Sequence, residues 1–147
     1  MSSRVALVVA AALVLVACSG PFVMFPGGAL EGDAQPAPAS WASVGEHGTA
    51  QLETLPADPY SVNIAYTVMD GVLYVNAGDT ETRWVKNMTT DPNVRLRIDD
   101  ALYELAAERV TDAREIAAFG RAWTSRSSFY RDPAELDEVW LYRMVAR

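Results

Sequence analysis

The sequence has few of the residues that build disulfides, metal sites and nucleic-acid interfaces. It contains one cysteine, Cys18, and one histidine, His47. A lone cysteine excludes an intrachain disulfide and a thiolate metal cluster, and a lone histidine supplies zinc chemistry poorly. With 12 Lys and Arg against 19 Asp and Glu, the formal net charge is -7, so the chain lacks the basic face that nucleic-acid phosphates require. We therefore expect neither a metal nor a nucleic-acid partner.

The apolar run near the start of the chain is too short for a comfortable transmembrane helix. Residues 5–16 are Ala, Val and Leu, whereas a spanning helix needs about 20 apolar residues. A short basic start precedes this run, as in a signal peptide. Leu15-Val16-Ala17-Cys18 then resembles the lipobox of bacterial lipoproteins, in which the cysteine is acylated before cleavage. An ordinary signal peptide or a short membrane anchor with an incidental cysteine is the alternative.

The lipobox resemblance implies three segments. Residues 1–17 are a lipoprotein signal peptide, residues 18–46 are a lipid-anchored tether rich in Gly, Pro and Ala, and residues 47–147 are the folded domain. Lipidation of Cys18 would place the protein in the cell envelope, with the domain facing the periplasm or the exterior. In a cell with two membranes, Ser19 after the cysteine resembles the outer-membrane sorting signal. The apolar cluster at residues 22–25 then either rests in the membrane interface or packs on the domain.

Alternating residues predict a β-hairpin over residues 60–76. Apolar side chains occupy alternate positions from Tyr60 to Val68, the period of a strand with one buried face. Asp70-Gly71 accepts the positive φ angles of a type I′ turn, and residues 72–76 return as the partner strand. This hairpin is the centre of the predicted fold.

The remaining pattern predicts four more strands and two helices. Strands are expected at residues 47–55, 94–99, 102–110 and 139–145, the last inside the sheet because both of its faces are apolar. A short helix carries Trp84 and Met88 on one side, and a second helix begins at the capping pair Asp112 and Glu115. Six strands in meander order favour a small closed or half-open antiparallel barrel, since a small open sheet would expose its edges.

Three stretches resemble a known family. Residues 70–75, 83–88 and 91–98 resemble the split β-barrel proteins related to pyridoxamine 5′-phosphate oxidase, especially the deazaflavin-dependent nitroreductase branch. The spacing of Trp84, Asn87 and Pro92 is typical of the short helix before the third barrel strand of that branch. The resemblance implies a mainly β fold with two or more short helices, in the form of a six-stranded antiparallel split β-barrel. It also implies a homodimer with FMN or deazaflavin F420 at the subunit interface.

The resemblance assigns cofactor-binding residues by position. Arg83 lies where the family has a base at the helix start, Lys86 is one helical turn further on, and Trp84 lies between them. A guanidinium and the N–H groups of a helix N-terminus suit a phosphate. The alternative is a solvated helix face with Trp84 in the core. The chain also departs from the family, because residues 54–61 contain no base and do contain Asp58, so we expect no bound cofactor.

Two functions follow. The first is a membrane-anchored envelope lipoprotein whose barrel has lost its cofactor and serves as a scaffold or binds a small molecule of unknown identity, with Trp123, Phe129 and Tyr130 as candidate contacts. The alternative is a flavin- or deazaflavin-dependent oxidoreductase acting on quinone-like or nitro substrates.

In the oxidoreductase, Tyr66, Asn76 and Trp84 would line the groove, and no catalytic residue is assigned. Hydrolysis is disfavoured because neither Ser127 nor Ser128 has an imidazole near it in the sequence.

Overall fold

The computed structural model describes residues 19–147. The predicted signal peptide and the predicted lipidation at Cys18 lie outside the described residues. Within residues 19–147, no helix combines the length and apolar character needed to cross a bilayer.

Seven strands and two α-helices make up the described chain. The strands are β1 (Ala34–Gln35), β2 (His47–Thr54), β3 (Tyr60–Met69), β4 (Val72–Asn76), β5 (Asn93–Ile98), β6 (Ala101–Arg109) and β7 (Leu141–Ala146). The helices are α1 (Arg83–Thr90) and α2 (Ala113–Thr124), and single 3₁₀ turns occur at Trp41–Val44 and Pro133–Glu135. Strands β2 to β7 correspond to the six predicted strands.

Six of the strands close into an antiparallel barrel. The hydrogen-bonded order is β6-β5-β2-β3-β4-β7, and β7 pairs back onto β6, with Ala107 opposite Met144. The predicted fold class, a mainly β six-stranded split barrel with short helices, is therefore confirmed. Strand β7 lies between β4 and β6, which also confirms the prediction that it is not an edge strand.

The β3–β4 hairpin forms where the sequence predicts it. Both turn residues have positive φ, 51° at Asp70 and 77° at Gly71, as a type I′ turn requires. In the hairpin, Met69 pairs with Val72 and Tyr66 with Val75. The turn fixes this register, so the buried face of β3 points into the barrel.

The core has two parts, one inside the barrel and one outside it. Helix α1 closes the interior part with the buried side chains of Trp84, Val85 and Met88. Outside the barrel, α2 packs the fully buried Phe119 against Tyr74. Helix α1 therefore caps the barrel, as its apolar side predicts, while α2 covers the wall formed by β4.

The segment predicted as a tether contacts the barrel at several points within its described part, residues 19–46. Strand β1 pairs in parallel with β6, and Gly27 pairs with Ser61 of β3. Leu30 is only 1% exposed. The polar and Gly-rich composition gave no sign of this packing, because the contacts run through backbone atoms and a few isolated apolar side chains. The segment's role as a spacer from a membrane stays a prediction.

An ionic clamp formed by Glu53 and Arg95 fastens this segment to the sheet. The buried carboxylate of Glu53 accepts the Leu30 N–H at 2.6 Å and pairs with Arg95 Nη1 at 3.4 Å. Arg95 also donates to the carbonyl oxygens of Leu30, at 2.6 Å, and Gly32, at 3.0 Å. Both charged groups thus satisfy backbone atoms of the buried Leu30, its N–H and its carbonyl oxygen.

Candidate functional site

A groove of about 490 Å³ opens on the outside of the barrel beside α1 and α2. Its walls come from β3, from the β4–α1 connection and from the end of α2 with the loop that follows it. The lining includes Asn63, Asn76, Asp79, Thr82, Trp84, Trp123, Phe129, Tyr130, Arg131 and Leu136. Residues far apart in the sequence meet here because barrel closure brings the loops after β4 and α2 together.

One wall of the groove is a stack of aromatic rings that starts in the core. The Phe119 ring is buried and lies 5.9 Å from the Trp123 ring, with an angle of 17° between their planes. Trp123 in turn stacks on Tyr130, with ring centroids 4.3 Å apart and an angle of 13°. Phe129 is 92% exposed. The wall therefore presents flat apolar surface to solvent, with an orientation set by the buried end of the stack.

Arg126 fixes this stack against the barrel. Its guanidinium carbon lies 4.9 Å from the centre of the Trp123 ring, and its Nη1 donates to Thr67 Oγ1 at 3.0 Å. A cation held over an aromatic face by a second hydrogen bond restrains the ring position. Because Arg126 is occupied in this way, it supports the aromatic wall and does not line the groove.

The polar atoms around the groove are neutral or paired. Asn63 and Asn76 contribute amide-bearing residues to its lining. Arg131 is the one basic residue in the lining, and its guanidinium pairs with the carboxylate of Asp79 at 3.0 Å. Thr82, just before α1, has a buried hydroxyl with no partner among the described residues. The groove therefore offers amide-bearing side chains and one ion pair around an apolar wall.

The two predicted phosphate-binding bases lie on the outside of α1. Arg83 is exposed and stacks over the Tyr60 ring at 4.3 Å, and Lys86 is exposed one turn later. Neither residue lines the groove. Trp84, between them, points inward, where it is 8% exposed and belongs to the core while its edge reaches the groove. The cofactor-binding role of these three residues stays a prediction.

Tyr66 was expected to line the groove, and this expectation is wrong. The ring is 4% exposed within the barrel core, and its hydroxyl donates to the carbonyl oxygen of Val44 at 2.9 Å. Burial, followed by the nearby Asp99 carboxylate, raises the pKa of this hydroxyl. Strand alternation accounts for the placement, since the side chain points to the interior face of β3.

The candidate lists for the two rival functions share one groove. Asn76 and Trp84 were proposed for the oxidoreductase, and Trp123, Phe129 and Tyr130 for the binding module, yet all five residues line it. Sequence reasoning missed Thr82 and Arg131. A capping position before α1 was the available signal for Thr82, whereas nothing in the sequence placed Arg131 opposite Asp79.

Neither hydrolysis nor metal chemistry finds a suitable arrangement in the described chain. His47 is exposed at the start of β2 and lines a separate cavity with Arg126. Ser127 accepts a hydrogen bond from the Phe129 N–H at 3.2 Å, which makes it a turn residue. Within residues 19–147, no cluster of three or more His, Cys, Asp or Glu side chains is arranged to hold a metal ion.

Comparison with known proteins supports the fold through structure alone. No protein-family model and no curated protein matches the sequence. A candidate pyridoxamine 5′-phosphate oxidase from Listeria innocua is 19% identical and superposes with a TM-score of 0.54, over 72% of this chain and 89% of its own. A conserved hypothetical protein from Mycobacterium tuberculosis, also 19% identical, gives a TM-score of 0.56 over 80% of this chain and 86% of its own.

The haem storage protein HutZ from Vibrio cholerae is a third structural neighbour. It is 16% identical, with a TM-score of 0.50 over 67% of this chain and 81% of its own. The three neighbours, together with the closed barrel, establish architecture and not activity, because the identities are low. The chain therefore has the split β-barrel fold of the pyridoxamine 5′-phosphate oxidase-like proteins.

Proposed function

We propose that this protein is an envelope lipoprotein whose split barrel has lost its flavin cofactor and binds a small, planar, uncharged and largely apolar ligand in the groove beside α1 and α2. The observation that carries this proposal is the stack at the groove, in which Tyr130, 39% exposed, lies nearly parallel to Trp123 at 4.3 Å and is backed by it. A rigid flat surface of this kind favours a flat partner, since neither side must be ordered on binding.

The charges around the groove support an uncharged ligand. A phosphate at this site would compete with Asp79 for Arg131, which is already paired at 3.0 Å. Arg83 is engaged with the Tyr60 ring, and residues 54–61 carry Asp58 and no base. Each charged hydrogen bond that the phosphate failed to make would cost it about 1.5–3 kcal/mol. These features favour a ligand without a phosphate.

The alternative function is a flavin- or deazaflavin-dependent oxidoreductase acting on quinone-like or nitro substrates. It is supported by the fold and by the unpartnered Thr82 hydroxyl beside the first turn of α1. In that case Thr82 and the N–H groups of the first turn would hold the phosphate, while Arg83 and Lys86 would supply positive charge. The bound ring would supply hydride-transfer chemistry, and Trp84 and Asn76 would position it.

Haem fits the groove less well than either of these ligands. HutZ is described as a haem storage protein, but His47, the one histidine of this chain, lines a different cavity. An axial imidazole from this chain would therefore be missing from the groove.

The anchor is the second part of the proposal. The apolar run at residues 5–16 and the sequence Leu15-Val16-Ala17-Cys18 support acylation of Cys18, which would hold the folded domain at the membrane. We expect Cys18→Ala to abolish incorporation of a labelled fatty acid. Incorporation that persists in this variant would contradict the anchor.

Riboflavin is a suitable probe of the groove because it carries a planar ring and no phosphate. We expect it to quench protein fluorescence in a saturable way and Trp123→Ala to weaken binding by about tenfold, as loss of about 1.4 kcal/mol of stacking predicts. Phe129→Ala, at a side chain 92% exposed, tests the same wall without disturbing the fold. The paired substitution Arg83→Ala with Lys86→Ala is the matched control and should leave riboflavin binding unchanged.

The visible spectrum of the purified protein separates the two functions. A stoichiometric flavin chromophore that is lost in the Arg83 and Lys86 double variant would support the oxidoreductase. A protein that binds neither riboflavin nor FMN would contradict both ligand-based functions and favour the scaffold role.

A further inference from the structure

Four consecutive large apolar side chains project from the domain in one turn. Phe22 is 74% exposed, Val23 66%, Met24 91% and Phe25 71%. We propose that this apolar tip, residues 22–25, inserts into the interface of the lipid bilayer beside the acylated cysteine. The proposal rests on the membrane anchor proposed above and adds a second, non-covalent membrane contact made by the folded domain.

The tip is a preformed turn and not a loose stretch of chain. The N–H of Phe22 donates to the carbonyl oxygen of Phe25 at 3.0 Å, and the N–H of Phe25 donates to that of Phe22 at 2.8 Å. Val23 has a φ of 53°, a left-handed conformation that is unfavourable for a β-branched residue. Such a conformation costs about 1–3 kcal/mol and persists only where surrounding contacts impose it.

Contacts with the barrel impose this conformation. The side chain of Asn63, on β3, donates through Nδ2 to the carbonyl oxygen of Val23 at 2.8 Å. Just after the tip, Gly27 exchanges backbone hydrogen bonds of 2.8 and 2.9 Å with Ser61. The barrel therefore holds the backbone of the tip while the two phenylalanines and Met24 point to solvent. A rigid apolar projection loses little conformational freedom when it enters another phase.

The sequence identifies a bilayer as the occupant. Cys18 lies four residues before Phe22, so even an extended chain separates the two by no more than about 14 Å. Residues 18–30, which follow the predicted signal peptide, contain no charged side chain, although the whole chain has a net charge of -7. This uncharged stretch allows close approach to a membrane surface that the acidic remainder of the chain would oppose. Aromatic residues are also favoured at the bilayer interface.

The tip also lies beside the ligand groove. Asn63, which holds Val23, is part of the groove lining. Membrane contact by the tip therefore keeps the groove close to the bilayer. An apolar ligand dissolved in the membrane is the class of molecule that this arrangement would reach.

The test places an environment-sensitive fluorophore on the tip of the full chain reconstituted in phosphatidylcholine vesicles. Acylation of Cys18 leaves no free thiol in the wild-type chain, so a Met24→Cys variant can be labelled at position 24 alone. The matched control is Ala113→Cys, because Ala113 is exposed at the start of α2. We expect the emission at position 24 to shift to the blue and to be quenched by lipids carrying nitroxide groups, whereas position 113 should show neither effect. Adding Phe22→Ser and Phe25→Ser should abolish the shift.

Each contrary result has a distinct meaning. The proposal would be overturned if the fluorophore at position 24 emitted at the same wavelength as the one at position 113 and was not quenched by the nitroxide lipids. A blue shift that nitroxide lipids fail to quench and that depends on protein concentration would overturn it in favour of contact between two copies of the chain. Labelling of the wild-type chain would show that Cys18 has a free thiol, which would contradict the lipid anchor but not the insertion of the tip. The measurement repeated with Cys18→Ser would then decide whether the tip inserts.

Discussion

Replacement of Glu53 by alanine should release the segment before β2 and destabilise the whole domain. The carboxylate of Glu53 is 3% exposed, accepts the Leu30 N–H at 2.6 Å and pairs with Arg95 at 3.4 Å. Glu53→Ala would leave the Leu30 N–H without its acceptor and Arg95 without its counter-ion. Removing one member of a buried pair costs about 3–5 kcal/mol.

The structure favours the lower end of that range. The Arg95 side chain is 20% exposed and keeps its hydrogen bonds to the carbonyl oxygens of Leu30 and Gly32. We therefore expect Glu53→Ala to lower the free energy of unfolding by about 3 kcal/mol, and Glu53→Gln, which keeps an acceptor for the Leu30 N–H, by about 1–1.5 kcal/mol.

Urea unfolding followed by circular dichroism measures both effects, and limited proteolysis reports whether residues 31–35 become accessible first. The matched control is Glu108→Ala, which removes the exposed pair between Glu108 and Arg143, 2.9 Å apart with Glu108 55% exposed. Solvent screening limits that loss to about 0–1 kcal/mol. Equal losses in the free energy of unfolding for Glu53→Ala and Glu108→Ala would show that the clamp contributes nothing to the fold beyond an exposed ion pair.

Three further predictions test the barrel and its outer layer. Gly48→Ala would place a Cβ 2.6 Å from the hydroxyl oxygen of the buried Tyr66, so we expect a loss of about 1–3 kcal/mol in urea unfolding, and wild-type stability would contradict this packing. Phe119→Ala would open a cavity between α2 and Tyr74 and should cost about 3–5 kcal/mol by the same assay; a loss below about 1 kcal/mol would show that α2 is not packed as described. Burial raises the pKa of Tyr66, Tyr74 and Tyr142 above the ordinary value of 10.0, and the unfolded chain therefore releases these protons first as the pH rises. Stability should then fall above about pH 10, with a shallower decline in Tyr74→Phe, and a stability that is flat to about pH 11 would contradict the burial.

The barrel could be predicted from the sequence because its signals are local. Alternation along β3, the Asp70-Gly71 turn and the capping pair at Asp112 and Glu115 each specify structure within a few residues, and all three form as predicted. The position of β7 inside the barrel could be predicted for a similar reason, since both of its faces are apolar. Closure then follows because it removes the exposed sheet edges.

The packing of residues 19–46 could not be predicted because it depends on pairings remote in sequence. Leu30 meets Glu53 and Arg95 through contacts that span 23 and 65 residues. A carboxylate at the penultimate position of β2 gave no sign that it faced an unpaired backbone N–H. Composition alone therefore described this segment as a tether.

The candidate site could be predicted in part. The aromatic residues Trp123, Phe129 and Tyr130 were recognised as a possible binding surface, and Asn76 and Trp84 as groove residues. The convergence of all five on one groove depends on how the loops fold together. Tyr66 was expected at the groove, although the alternation along β3 already placed its side chain on the buried face, where it lies. The pairing of Arg131 with Asp79, 52 residues away, was equally invisible.

The dissociation constants of riboflavin and FMN for the same protein decide whether the groove takes a planar ring without a phosphate. The two probes differ only in the phosphate, so their ratio isolates its contribution to binding. Quenching of flavin fluorescence gives both constants under identical conditions. We expect riboflavin to bind at least as tightly as FMN. The proposal would be contradicted if FMN bound more than about tenfold tighter than riboflavin, a difference of about 1.4 kcal/mol, and if this difference disappeared in the Arg83→Ala and Lys86→Ala double variant.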